Sequence, residues 1–217
     1  MTTVSKIKIK CPCCKKKFKT RNLISFNFLG GETTDFHVLS LGAQPIFLQI
    51  YTCSFCGFSG YRNEYENSID NNLKKIISEK LTPLIRNSEI SSEKKYEYSA
   101  LIAKWSNKQS IEIANRYLKA SWCAKYLKLQ EKEFLYRRQA IKYYEEALSK
   151  NEIEKTQLAK ITYLVGELYR RVGEKSKADM WFERVPQVAG EDKEKQWIVN
   201  LAKQQKENPK EFIEVGE

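Results

Sequence analysis

Four of the six cysteines fall in two C-x-x-C pairs, Cys11 and Cys14 in "CPCC", then Cys53 and Cys56 in "CSFC" followed by Gly57. A tight turn with two cysteines three apart turns both sulfurs to one side. A second such knuckle completes a tetrahedron of thiolates around a metal, with metal–sulfur bonds near ~2.3 Å. The pattern predicts one structural Zn2+ per chain, held by Cys11, Cys14, Cys53 and Cys56. Four protein ligands leave no position for water, which points to a structural rather than a catalytic ion. Gly57 can adopt the left-handed backbone that such a knuckle needs after its second cysteine.

Two other chemistries use the same residues. An iron site of the rubredoxin kind shares the four-sulfur geometry. A thiol oxidoreductase of the glutaredoxin or thioredoxin kind carries C-P-x-C after a strand and depends on a lowered thiol pKa. That fold needs a βαβ pattern after the motif, whereas turns, strands and a second C-x-x-C follow here. Cys13 lies between two ligands and is expected to point away from the metal. Cys123, in "SWCAKY", reads as a small buried thiol on a helix. His37 is the only histidine, and with four sulfurs available it is expected not to be a ligand.

The first knuckle is also strongly basic. The formal net charge is +11, and residues 1–63 carry nine Lys or Arg against only Glu32 and Asp35. The candidate contacts to an anionic partner (RNA, DNA or an acidic protein surface) are Lys15, Lys16, Lys17, Lys19 and Arg21, with Phe18 as a stacking aromatic. The bland alternative is a cationic collar offsetting the net −2 charge of a zinc ion with four thiolates. Arg116, Lys119, Arg137, Arg138 and Lys142 are weaker contact candidates, otherwise read as solvated helix faces. No G-x-x-x-x-G-K-S/T, G-x-S-x-G or H-E-x-x-H motif occurs, and a single histidine removes most imidazole acid–base schemes, so the chain reads as non-enzymatic. No run approaches the roughly 18 apolar residues of a membrane span, and none follows the early lysines as in a signal peptide. The expected setting is cytoplasmic.

The elements that position these residues change character near residue 64. Residues 1–63 read as strands and turns: "KIKIK" alternates, "LISFNF" and "IFLQIYT" are strand-like, and "LGGET" and "LGAQP" are turns. The 38-residue insert between Cys14 and Cys53 is expected to add strands. Beyond residue 64, apolar stripes such as Leu158, Ile161, Val165, Leu168 and Val172 recur at steps of three and four. They predict helices over 64–81, 92–106, 109–128, 131–150, 153–172, 175–186 and 193–206. Gly173 fits a helix C-terminal cap.

In "ITYLVGELYRRVGEKSKADMWFERV", Gly166, Tyr169, Gly173, Ala178 and Phe182 reproduce the small-and-aromatic spacing of a tetratricopeptide (TPR) repeat; Ala140, Tyr144 and Ala147 form a degenerate second copy. The expected fold is therefore α+β, mostly α: a four-cysteine zinc ribbon over 1–63 and a TPR-like antiparallel helical array over 64–217.

The stretches "CPCCKKKF", "TDFHVLSLGAQPIFLQIYTCSFCGFSG" and "YLVGELYRRVGEKSKADMWF" together resemble a prokaryotic family, domain of unknown function 2225. The resemblance implies a two-knuckle front end, a metal and TPR-like helices. Two positions depart from it: the family's first knuckle usually ends in Cys-Gly where this chain has Lys15, and near Asp35-Phe36 the family often has a cysteine where this chain has His37. The functional expectation is a non-enzymatic adaptor whose basic ribbon contacts nucleic acid or a ribonucleoprotein and whose helices bind a protein partner. A pure protein–protein scaffold, with the ribbon serving folding or homo-oligomerisation, is the alternative.

Overall fold

The computed structural model describes residues 2–85 and 90–213. Thr3–Lys10 forms β1 and Lys17–Ser25 forms β2, paired antiparallel across the first knuckle. The register sets Ile9 opposite Phe18 and Ile7 opposite Thr20. Directly opposed residues of an antiparallel pair share a face, so alternation divides the hairpin cleanly: Ile7, Ile9 and Phe18 pack inward beside the cysteines, and the charged residues face out. Tyr51–Thr52 (β3) and Ser59–Gly60 (β4) form a shorter hairpin across the second knuckle.

Among the described residues seven helices follow: α1 Asn71–Lys80, α2 Ser92–Trp105, α3 Ser110–Tyr126, α4 Gln130–Ser149, α5 Leu158–Arg171, α6 Lys175–Ala189 and α7 Gln196–Glu207. From α2 onward each helix packs on the next through a short connector. The chain is thus mostly α with a small β front end, as the change in periodicity predicts. A Cβ on Gly166 would meet Phe182 Cδ1 at 2.8 Å, so this glycine is what lets α5 and α6 approach.

Several predicted elements differ. "LISFNF" is a strand only as far as Ser25, the end of β2. "IFLQIYT" is not a strand until its last two residues. Pro45 opens a 3-10 turn, Pro45–Leu48, and Ile46 and Ile50 turn into the helical core, where the Tyr96 hydroxyl donates to the Ile46 carbonyl at 2.9 Å. The helix expected from residue 64 begins at Asn71, because the Asp70 carboxylate accepts from the Leu73 N–H and caps it there. The helix expected from residue 153 begins at Leu158; the connector is instead tied down by the Glu152 carboxylate, which accepts from the Ile111 N–H at the start of α3.

Among the described residues there are two hydrophobic clusters. The larger runs through α2 to α7. The smaller surrounds the cysteines and takes its floor from Leu73 and Ile77 of α1, Leu81, Ile85, and Tyr98 and Ile102 of α2. α2 therefore serves both, with Tyr96 and Ala100 in one cluster and Tyr98 and Ile102 in the other.

The insert between the knuckles adds β2 and the two residues of β3, and between them a long loop anchored on the helices. The Asp35 carboxylate accepts from Arg137 at 2.8 Å and Trp122 Nε1 at 2.9 Å, and the Thr34 hydroxyl donates to Glu167 at 2.6 Å. Burial alone would raise the Asp35 pKa, but Arg171 and Arg137 overcome it and hold the carboxyl well below its usual range. No helix among the described residues is long and apolar enough to cross a membrane.

Candidate metal centre

The two knuckles are one turn built twice. In the first, the Cys11 N–H donates to the Lys16 carbonyl at 2.9 Å and the Lys15 N–H to the Cys11 carbonyl at 3.0 Å. In the second, the Cys53 N–H donates to Phe58 and the Gly57 N–H to Cys53, both at 2.9 Å. The residue after each second cysteine is left-handed, Lys15 at φ 63° and Gly57 at φ 79°.

These turns bring Cys11, Cys14, Cys53 and Cys56 into one cage whose ligand atoms all lie within 4.8 Å of one another. Two contacts cross between knuckles: Cys11 Sγ to Cys56 Sγ and Cys14 Sγ to Cys53 Sγ, each 3.6 Å. A regular tetrahedron with metal–sulfur bonds of ~2.3 Å has an edge of about 3.8 Å, so this donor set fits a four-thiolate ion. Tyr65 closes the cage from the side, its hydroxyl donating to the Phe58 and Tyr51 carbonyls at 2.8 and 3.0 Å.

The thiols share their protons. The hydrogen bond with Cys11 lowers the Cys53 pKa, and the same bond pushes Cys11 up to about 12; Cys56 is raised, first by its bond with Cys11. A metal ion entering the cage displaces those protons and takes their place.

A family model described as an uncharacterized protein conserved in bacteria, DUF2225, matches residues 4–209, taking in both knuckles and all seven helices. The chain belongs to this family. No curated protein and no solved structure matches it.

The DUF2225 chain places its other candidate residues variously. Cys13 stands outside the four-sulfur cage but does not point clear of it as expected: a hydrogen bond with Cys56 lowers its thiol pKa. His37 is far from the cage chemistry. It is buried against α3 with its ring stacked on Trp122, centroids 4.5 Å apart and planes within 3°; burial brings its pKa down to about 4. Cys123 is buried, as expected, and burial pushes its thiol up to about 12.

Of the basic candidates, Lys15, Lys16, Lys17, Lys19 and Arg21 are all exposed. Lys16 lies over the Phe55 ring of the second knuckle, 4.8 Å from its centroid. Phe18 corrects the expectation. It is 4% exposed, directed inward by the strand alternation and tilted against Tyr65 at 5.8 Å, so its ring is not a stacking platform.

Two helix candidates are corrected as well: Arg116 and Arg137 are buried and committed to ion pairs with Glu64 at 2.7 Å and Asp35 at 2.8 Å. Arg138 pairs with Glu174, Lys119 donates to Tyr61 and Gln49, and Lys142 lies over Tyr143.

What spacing alone missed lies in β1. The register puts Lys10 opposite Lys17, Lys8 opposite Lys19 and Lys6 opposite Arg21, all exposed. "KIKIK" carried this signal, since a strand with lysine at every second position must show them all on one face. Among the described residues none of the six has an acidic partner.

Proposed function

We propose that the protein is a non-enzymatic adaptor. A zinc-bound ribbon engages nucleic acid, free or in a ribonucleoprotein, and the TPR-like helices hold a protein partner. The observation that carries the reading is the three-rank ladder of opposed cations on β1 and β2. Like charges directly opposite one another destabilise a hairpin, typically by a few tenths of a kcal/mol to about 1 kcal/mol per pair. A fold would not gather three such ranks for its own stability.

Compensation of the thiolates does not account for them either. Lys6 and Arg21 lie four residues along the strands from Lys10 and Lys17, about 14 Å at ~3.4 Å per residue. That is beyond the roughly 8 Å over which exposed charges act at physiological salt. An extended polyanion matches a ladder of this length. Zinc suits a closed four-thiolate cage and supplies stability that a strand-rich front end of this size lacks.

The test is binding of labelled polynucleotides to the full chain between about 50 and 200 mM salt. Affinity should fall steeply and log-linearly with salt, and Lys8→Glu with Lys19→Glu should abolish it at the higher salt. Salt-independent binding, or no loss on charge reversal, refutes the reading.

A second reading, the pure scaffold, has its own support: Ile24, Phe28, Leu29 and Leu41, each at least 60% exposed, give the insert an apolar surface suited to a protein contact. Capture of one protein partner that survives nuclease treatment would favour it.

A further inference from the structure

We infer that the ribbon's ligand is single-stranded nucleic acid, seated in a groove along β2 rather than on the open face of the ladder alone. The inference rests on the reading above and names its substrate class.

Two adjoining clefts of about 580 and 510 Å3 share Arg21, Phe47 and Leu48 and so form one groove. Lys19 and Arg21 of β2, with Lys6 of β1, supply cations along it, and Lys95 of α2 adds another from the opposite side. No carboxylate lines either cleft among the described residues. Three other clefts each carry at least one: Glu66 in the first, Glu152 in the second and Glu211 in the third. A groove bordered by cations and free of acids concentrates an anion.

The groove also has an aromatic component. Phe47 and Tyr126 meet edge to face at 5.3 Å, and Tyr126 remains 42% exposed at the end of α3. A duplex turns its phosphates outward and hides its base faces within the stack. A single strand offers phosphates and bare bases together, and proteins hold it with a basic groove plus aromatic platforms. Arg21 belongs to both clefts, so one chain of phosphates can run past it while bases reach the Phe47–Tyr126 side.

The experiment measures anisotropy of labelled single strands of roughly 12 nucleotides, DNA and RNA in separate arms. The full chain is used, with the matching duplex and a poly-glutamate peptide as competitors. The single strand should win at least tenfold over the duplex. Tyr126→Ala should weaken single-strand binding by about 5- to 150-fold, the range for loss of one stacked base, with Tyr126→Trp retaining it. Thermal melts of both variants confirm folding.

If the duplex binds as tightly and Tyr126→Ala changes nothing while Lys8→Glu weakens binding, the groove is wrong and the ribbon remains a nucleic-acid surface. If no polynucleotide binds, or poly-glutamate displaces it at equal concentration, both readings fall.

Discussion

Lys15 and Gly57 occupy the same place in the same turn, at φ 63° and 79°, yet their surroundings are opposite. A Cβ on Gly57 would meet Ile85 Cγ2 and Leu81 Cβ, both at 3.2 Å, because the second knuckle sits on the chain leaving α1. Lys15 is exposed, and its knuckle is the more open of the two at one sulfur only: Cys14 is half-buried, whereas Cys11, Cys53 and Cys56 are buried. Identical backbone hydrogen bonds therefore make one knuckle an anchor and the other a lid. Sulfur geometry dictates the turn; packing dictates which residue can make it.

The largest effect should come from the ligands themselves. Structural zinc in small domains contributes on the order of 10–16 kcal/mol of apparent binding free energy. Cys53→Ser should unfold the ribbon and expose the cluster around Tyr51 and Phe58. Cys14→Ser should leave three buried sulfurs, a folded ribbon and a weakened, exchangeable metal. Competition with a chromogenic chelator, together with near-UV circular dichroism, separates the two; equal losses would erase the distinction between anchor and lid.

Next in size is the anchor's backbone. Gly57→Lys imposes left-handed strain of about 1–2 kcal/mol and overpacking against Leu81 and Ile85 of about 1–3 kcal/mol. A loss of roughly 2–5 kcal/mol in urea unfolding is expected from these two costs, although the lid carries lysine at the same position.

The contrast also marks what the sequence could tell. The cage was legible because C-x-x-C fixes local geometry wherever it occurs, and the helices because their stripes repeat. Where helices stop was less so. α2, α3, α4 and α5 all end with the same pair of backbone bonds, through left-handed Asn107, Lys128, Asn151 and Gly173, for example Leu129 N–H to Ala124 and Glu174 N–H to Tyr169. Only the glycine announces itself. The buried ion pairs were hidden for a different reason. Asp35 finds Arg137 and Arg171 across about a hundred residues or more, and no local pattern distinguishes them from Arg138 and Arg170 beside them, which do not reach Asp35. Phe18 was misread because its neighbours are lysines, when its strand parity already placed it with Ile9.

The cage should also respond to pH in a way that sharpens the comparison. Cys11 and Cys56, one from each knuckle, have raised pKa values and hold protons at neutral pH. A metal ion must displace both, so affinity rises with pH, by up to about a hundredfold per unit when two protons are released. Chelator competition at several pH values gives the slope, and calorimetry in buffers of different ionisation enthalpy counts the protons. A pH-independent affinity would mean that the thiols are already ionised before the metal arrives.

The smallest effect is the most diagnostic of the lid. Lys15→Gly relieves left-handed strain of about 1–2 kcal/mol but adds unfolded-chain entropy worth about 0.4–1 kcal/mol. The net expectation is a stabilisation between about 0 and about 1.6 kcal/mol, read from the urea midpoint of the metal-bound protein. Lys15→Ala is the control, because it removes the same charge while keeping the Cβ. If Lys15 serves the backbone only as a tolerated strain, glycine stabilises and alanine does not. If the cation offsets the nearby thiolates, both substitutions weaken metal binding together, and the weakening shrinks as salt rises. A lysine held in a conformation that glycine would adopt more easily is then kept for its charge, which links the lid to the cation ladder that begins two residues later at Lys17.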